Sequence, residues 1–206
     1  MGKILIYKII ALGEKGGNAG GYLVDVNAFL KKQRDIKKYI PVVVKKQIRI
    51  LLNSSIYKYK GVDLLVDAYC NLTCKSLKLV IAGRGFDIET HNENIIRINR
   101  FIEDEEVAYL FKKAKFIVYP YRSATMSGVL SLAYYFNKKV LASTIPFFED
   151  NATLNVVLFK VNDIDDLERK MKSLIFGKNL SVDPTSYLNI YGEGTLINSY
   201  WGLYED

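Results

Sequence analysis

The stretch Tyr119-Pro120-Tyr121-Arg122-Ser123-Ala124-Thr125-Met126-Ser127-Gly128-Val129-Leu130 is a polar loop set between a β-rich run ended by proline and an apolar stripe of helical period. A strand–loop–helix junction of this kind presents the first backbone N–H groups of a helix, and the positive end of its dipole, at the carboxyl edge of a sheet. Phosphate suits that position, and Gly128 would let it approach the backbone with no Cβ in the way. The same residues suit a capped core helix equally well, because serine is a common N-cap. A second loop, Gly13–Gly21, holds five glycines between a strand-like Lys3–Ala11 and a helical Tyr22–Lys32. It has the outline of half a phosphate-binding unit, but it is neither a GxGxxG nor a Walker A sequence, and a surface turn accounts for it as well.

Other reactive side chains form no set. Cys70 and Cys74 have the spacing of one helix face and no histidine beside them, so they read as two reduced thiols rather than a metal site or a disulfide framework. The lone histidine, His91, falls in the polar loop Thr90-His91-Asn92-Glu93-Asn94 and reads as a surface residue. No Ser-His-Asp arrangement can be assembled. The chain is 206 residues long, half hydrophobic and a quarter charged, which excludes a disordered tail and leaves enough apolar surface for a core. No apolar run is long enough to span a bilayer, and the start lacks the pattern of a secretory signal.

The net charge of +7 sits in one place. Residues 31–49 carry Lys31, Lys32, Arg34, Lys37, Lys38, Lys45, Lys46 and Arg49 against Asp35, so that segment alone holds eight minus one, or +7, and the rest is neutral. Such a cluster could meet anionic lipid, or it could be a solvated face. No zinc finger, KH loop or RNP-type strand accompanies it, so nucleic acid is not an expected partner.

The elements that must position these residues alternate from residue 48 onward. Strands are predicted at Ile48–Asn53, Leu77–Ala82, Ile95–Ile98, Lys115–Tyr119, Lys139–Ala142 and Val156–Phe159. Helices are predicted at Gly61–Leu72, Glu103–Lys113, Ser127–Phe136 and Asp163–Ile175, the last capped by Asp163. The end, Pro184–Tyr204, can form an aromatic-rich helix. Strand–helix alternation implies parallel strands with right-handed crossovers: an α/β, doubly wound, Rossmann-like sheet. Open sheets of that class bind ligands at the carboxyl ends of their strands.

Residues from about 48 to 176 resemble the C-terminal, donor-binding domain of family 4 glycosyltransferases, the retaining GT-B enzymes, of the polysaccharide-assembly type. Tyr59-Lys60-Gly61-Val62-Asp63-Leu64-Leu65 is similar to the family's opening of its first helix, and Leu79-Val80-Ile81-Ala82-Gly83-Arg84-Gly85 to its strand and glycine turn. Phe101-Ile102-Glu103-Asp104-Glu105-Glu106 resembles the helix start that follows the base-binding turn. Ser123–Val129, Ala133-Tyr134 and Val140-Leu141-Ala142-Ser143 resemble the "SATQSGV…AY…PVIAT" variant. The sequence departs from the family at Ala124 and Leu132, where two glutamates are usual, at Met126 in place of glutamine, at Lys139 in place of proline, and at Ser54 and Ser55, where Gly and Arg are common.

The resemblance implies a nucleotide-sugar donor site made by Lys60, Gly61, Gly83, Gly85, Phe101, Ser127, Gly128 and Val129. Lys60 would neutralise the diphosphate, the amides at Ser127, Gly128 and Val129 would hold phosphate oxygens, Gly83 and Gly85 would admit the nucleoside, and the Asn99–Ile102 turn would border the base. The implied reaction is hexosyl transfer in surface polysaccharide biosynthesis, with no metal ion and no cofactor; catalytic residues remain unassigned. Residues 47–206 would be the nucleotide-sugar-binding domain. Residues 1–46 resemble only the opening of a GT-B N-terminal domain, so a partner chain supplying an acceptor domain is one expectation. The implied location is the cytoplasm, peripheral at the inner face of the membrane through residues 31–49. The alternative is a non-catalytic interaction module that keeps the fold, and a basic adaptor built on residues 31–49 is a third reading.

Overall fold

Six mostly apolar runs, each four or five residues long, form the strands of one parallel sheet. Strands buried on both sides read as continuous hydrophobic runs because helices cover both faces. The computed structural model describes residues 50–53, 58–72, 77–85, 89–124, 128–177 and 181–185. In chain order the elements are β1 (Ile50–Asn53), a 3-10 turn (Lys58–Lys60), α1 (Val62–Cys70), β2 (Leu79–Ala82), β3 (Ile95–Ile98), α2 (Asp104–Lys113), β4 (Phe116–Tyr119), α3 (Val129–Tyr135), β5 (Lys139–Ser143), α4 (Pro146–Asp150), β6 (Val156–Phe159) and α5 (Ile164–Phe176). The expectations for residues 1–49, Cys74, Ser127 and the terminal helix beyond residue 185 lie outside the described residues.

The strand order is β3-β2-β1-β4-β5-β6. The chain winds outward from β1 in one direction, then crosses back to lay β4 on the other side of β1, so the topological switch point falls between β1 and β4. The β1–β2 ladder pairs four residues, from Ile50 with Leu79 to Asn53 with Ala82. The β1–β4 ladder pairs only two, Ile50 with Phe116 and Leu51 with Ile117. The two halves of the sheet therefore part toward their carboxyl ends.

Strands β2 to β6 send side chains to both layers. Leu79, Ile81, Phe116, Val118, Leu141 and Phe159 pack against α1 and α5. Val80, Ala82, Ile117, Tyr119, Val140 and Ala142 pack against α2, α3 and α4. α1 is held by Leu65, Ala68 and Tyr69, and the Tyr69 hydroxyl donates to the carbonyl of Leu77, 2.7 Å away. α2 buries Leu110 and Phe111. At its start the Glu106 carboxylate accepts from the Glu103 N–H at 3.1 Å, half of a capping box, and takes both arms of Arg100 at 2.7 and 2.6 Å. α5 begins as its sequence predicts: the Asp163 carboxylate accepts from the N–H of Asp166 at 2.9 Å. Buried Asn155, just before β6, exchanges two 2.8 Å bonds with the backbone of Asp183, which returns the chain beyond α5 to this end of the sheet.

Two expectations need correction, and one element was not expected. The stretch Ser127–Phe136 is helical only from Val129 to Tyr135, with Gly128 as N-cap and no side-chain cap bond, so no serine cap is seen in the described residues. α1 closes at Cys70 with Asn71 as its C-cap, two residues before the predicted end at Leu72. α4 is absent from the sequence-based expectations, because five residues opened by a proline give no helical period; Pro146 sits in the first turn, where its missing N–H costs nothing.

Candidate functional site at the sheet switch point

The loops that leave β1 and β4 meet at the carboxyl edge of the sheet. Gly61 makes the meeting possible. Its backbone is left-handed, with φ 62° and ψ 31°, and a Cβ placed there would lie 2.0 Å from the carbonyl oxygen of Pro120. No other residue fits both constraints. The Tyr59 carbonyl accepts from the N–H of Arg122 at 2.6 Å, so the 3-10 turn is bonded along the end of β4.

This contact sets Lys60 beside a T-shaped pair of aromatic rings, Tyr59 and Tyr121, whose centroids are 6.3 Å apart. Its Nζ lies 5.6 Å from the centroid of Tyr59 and 5.1 Å from that of Tyr121, both within cation–π range. Tyr59 is partly exposed, whereas Tyr121 is buried and belongs to an aromatic group with Tyr119 and Phe148. The Tyr121 carbonyl accepts from the hydroxyl of Ser143, a buried serine on β5. Further along, the Tyr119 hydroxyl donates to the carbonyl of Val129 at 3.1 Å, tying β4 to the first turn of α3. Burial pushes the Tyr119 phenol well above its ordinary pKa.

Arg122 is the busiest polar side chain here. Its guanidinium donates to both carboxylate oxygens of Asp63, at 2.8 and 2.6 Å, to the carbonyl of Lys58 at 2.9 Å and to Oδ1 of Asn162 at 3.0 Å. The hydrogen bonds from Arg122 hold the Asp63 carboxyl below the usual carboxylate range, and the same pair raises Arg122. Both residues stand inside the sequence motifs, yet the motifs mark no role for either. Opposite charges at the start of α1 and in the loop after β4, on the two sides of the switch point, were the available signal.

The remaining site residues lie along the same edge. Gly83 and Gly85 follow β2 with φ 148° and 149°, backbone that L side chains rarely adopt. The Gly85 N–H donates to Oδ1 of Asn99 at 3.3 Å, joining the glycine turn to the turn after β3. Phe101, beyond that turn, is 67% exposed, which is unusual for a large apolar ring and leaves its face open to a flat partner. Arg100 beside it is engaged by Glu106, whose carboxyl is held below its ordinary range by those hydrogen bonds. Lys60 and Gly61 thus meet the end of β4, while Gly83, Gly85 and Phe101 form a second group at the ends of β2 and β3. Gly128 and Val129 begin α3, and Ser127 lies outside the described residues. His91 is exposed in a loop, as expected. Among the described residues no three His, Cys, Asp or Glu side chains are grouped to hold a metal ion, and no helix is long and apolar enough to cross a membrane.

The profile of the family described as "Glycosyl transferases group 1" matches residues 47–176. No curated protein matches the chain. Among solved structures, it is similar to a sucrose-phosphate synthase from Thermosynechococcus elongatus, with TM-score 0.62 and 14% identity over 85% of this chain and 48% of that one. It is also similar to a glycosyltransferase from Rickettsia africae, with TM-score 0.62 and 15% identity over 88% of this chain and 52% of the other. A third is the Anabaena protein HepE in complex with UDP-glucose, with TM-score 0.56 and 12% identity over 86% of this chain and 49% of that one. The chain spans about half the length of these three structures. At such identities the likeness carries the fold, a doubly wound α/β sheet of the GT-B kind. The family match covers well over half of the sequence, from the strand that opens the sheet to the last helix, and on that ground the chain belongs to the group 1 glycosyl transferases.

Proposed function

We infer that residues 47–206 bind a nucleotide-sugar donor and present its diphosphate to Lys60 during sugar transfer. The observation that carries this reading is the position of Lys60: an ammonium within cation–π range of both Tyr59 and Tyr121 at the switch point of the sheet, inside the residues that match the family. Open α/β sheets take their ligands at that crevice. A cation held there stabilises the negative charge that gathers on a departing nucleoside diphosphate, and because it is already oriented, little reorganisation accompanies bond breaking. In this reading the positive-φ backbone of Gly83 and Gly85 lets the nucleoside lie close to the sheet, and exposed Phe101 offers its ring to the base. Amides of Ser127, Gly128 and Val129 complete the phosphate contacts. The transfer uses no metal ion. The Anabaena protein was solved with UDP-glucose, which supports a uridine or similar nucleotide as the first donor to try.

The acceptor-binding half is contributed by polypeptide other than residues 47–206, from a partner chain in the simplest arrangement. The product belongs to surface polysaccharide assembly, made in the cytoplasm at the inner membrane face, with residues 31–49 meeting anionic lipid. Isothermal titration of the chain with UDP, GDP and their sugars tests the central claim. Saturable binding that falls roughly ten- to a hundredfold in Lys60→Ala is expected, the range of a charge-assisted contact. Absence of saturable binding to every nucleotide tried would sink the reading.

A further inference from the structure

We propose that Arg122 is the positioning residue for Lys60: it ties together the turn that carries Lys60, the start of α1 and the loop between β6 and α5, and so holds the ammonium at the switch point, without itself touching the donor. A guanidinium has five N–H donors. Four hydrogen bonds are made from Arg122, two to Asp63 at the start of α1, one to the Lys58 carbonyl and one to Asn162 in the loop between β6 and α5. An arginine so engaged has little left for a phosphate, although it lies one residue from Tyr121 and its electric sign would suit one. Its contacts converge instead on the segment that carries Lys60. The carbonyl of Lys58 is held by the side chain and that of Tyr59 by the Arg122 backbone N–H, so two successive carbonyls immediately before Lys60 are bonded to one residue. Asp63, three residues after Lys60, is held by the same fork. Lys60 is therefore bracketed on both sides.

The planar fork matters as well as the charge. Two parallel N–H groups meet the two Asp63 oxygens, and the Nε–H leaves in another direction to Asn162, whose backbone is left-handed at φ 60°. A lysine ammonium cannot reproduce that geometry from a single point. What Lys60 does once held there rests on the donor-site reading; that Arg122 holds it does not.

The two can be tested apart in the full chain. With lysine labelled in 13C and 15N, the Lys60 εCH2 signal, assigned by its loss in Lys60→Arg, should stand upfield of other lysines because two rings lie beside it. In Arg122→Gln and in Arg122→Lys it should move toward the position of a solvated lysine, with circular dichroism and melting still cooperative, and in Asp63→Asn it should move part of the way. A Lys60 signal unmoved in a folded Arg122→Gln overturns the proposal. Should that variant not fold, Arg122→Lys takes its place: a displaced signal supports the proposal and an unmoved one overturns it. Titration with UDP and GDP then reads the consequence. Arg122→Gln should weaken binding about tenfold, a coupling typical of groups in contact, and should weaken it no further once Lys60 is alanine. Equal weakening in both backgrounds would contradict a role exerted through Lys60. If the unaltered chain binds neither nucleotide, the donor-site reading fails, and the lysine signal alone decides the role of Arg122.

Discussion

Gly61 carries more of the site than any charged residue. The turn that carries Lys60 presses against Pro120, and the 2.0 Å approach leaves no room for a methyl group. Replacing Gly61 with alanine combines a left-handed backbone with a clash against main chain rather than against a pliable side chain. The expected cost is about 1–3 kcal/mol of stability, read as a lower midpoint in urea. Nucleotide affinity should fall by more than this stability loss explains, since the residue that moves is the neighbour of Lys60. Unchanged stability in Gly61→Ala would show that the contact is not made. At this scale the sequence was partly legible. A Lys-Gly pair opening a helix can be seen in a row of letters, but the partners of Arg122 stand 59 and 40 positions away at Asp63 and Asn162, and only the winding of the sheet brings them together.

Among the elements, α2 and its entry show how a local signal becomes a pH-dependent one. The Glu106 carboxylate is almost fully buried, accepts two bonds from Arg100 and one from the Glu103 N–H, and has its pKa lowered by them. A carboxyl with a folded pKa below its unfolded value of about 4.3 adds stability that is complete above that value and disappears as pH falls through the folded one. Glu106→Gln should therefore lower stability by about 1–2 kcal/mol at neutral pH, and the gap from the unaltered chain should close under acid, as seen in chemical denaturation at a series of pH values. A gap that widens in acid would contradict the assigned direction. β3 and β6 have the bounds their sequences predict, and α5 has its predicted cap, because short apolar runs and an aspartate before an amphipathic stripe are local features. The start of α3 and the whole of α4 were not legible. The first depends on how β4 releases the chain, with the Tyr119 hydroxyl reaching the carbonyl of Val129, and the second is too short to show a period.

At the scale of the whole molecule, two layers of helix over six parallel strands explain why the chain reads as alternating elements and why its strands are so uniformly apolar. Truncation of Phe111, buried where α2 meets the sheet, should cost about 3–5 kcal/mol, enough to unfold a marginal domain; a melting curve of Phe111→Ala checks it. The charge is organised at this scale too. Since residues 31–49 carry the whole net charge, association with vesicles rich in phosphatidylserine should be strong at low salt and fade as ionic strength rises, whereas a chain with those lysines replaced by glutamine should ignore the vesicles. Binding that is indifferent to salt would argue against a surface-charge mechanism. Sequence alone made the fold class legible, because alternation is a property of the row; where the switch point lies follows from strand order, which no single segment encodes.

The shortness of the β1–β4 ladder has a practical consequence for anyone wishing to re-engineer this protein. Because the parting of the strands is a seam in the weave of the sheet and not a gap between ornaments hung upon it, exchanging the peptides at its rim would change the chemistry displayed there while leaving the opening itself in place.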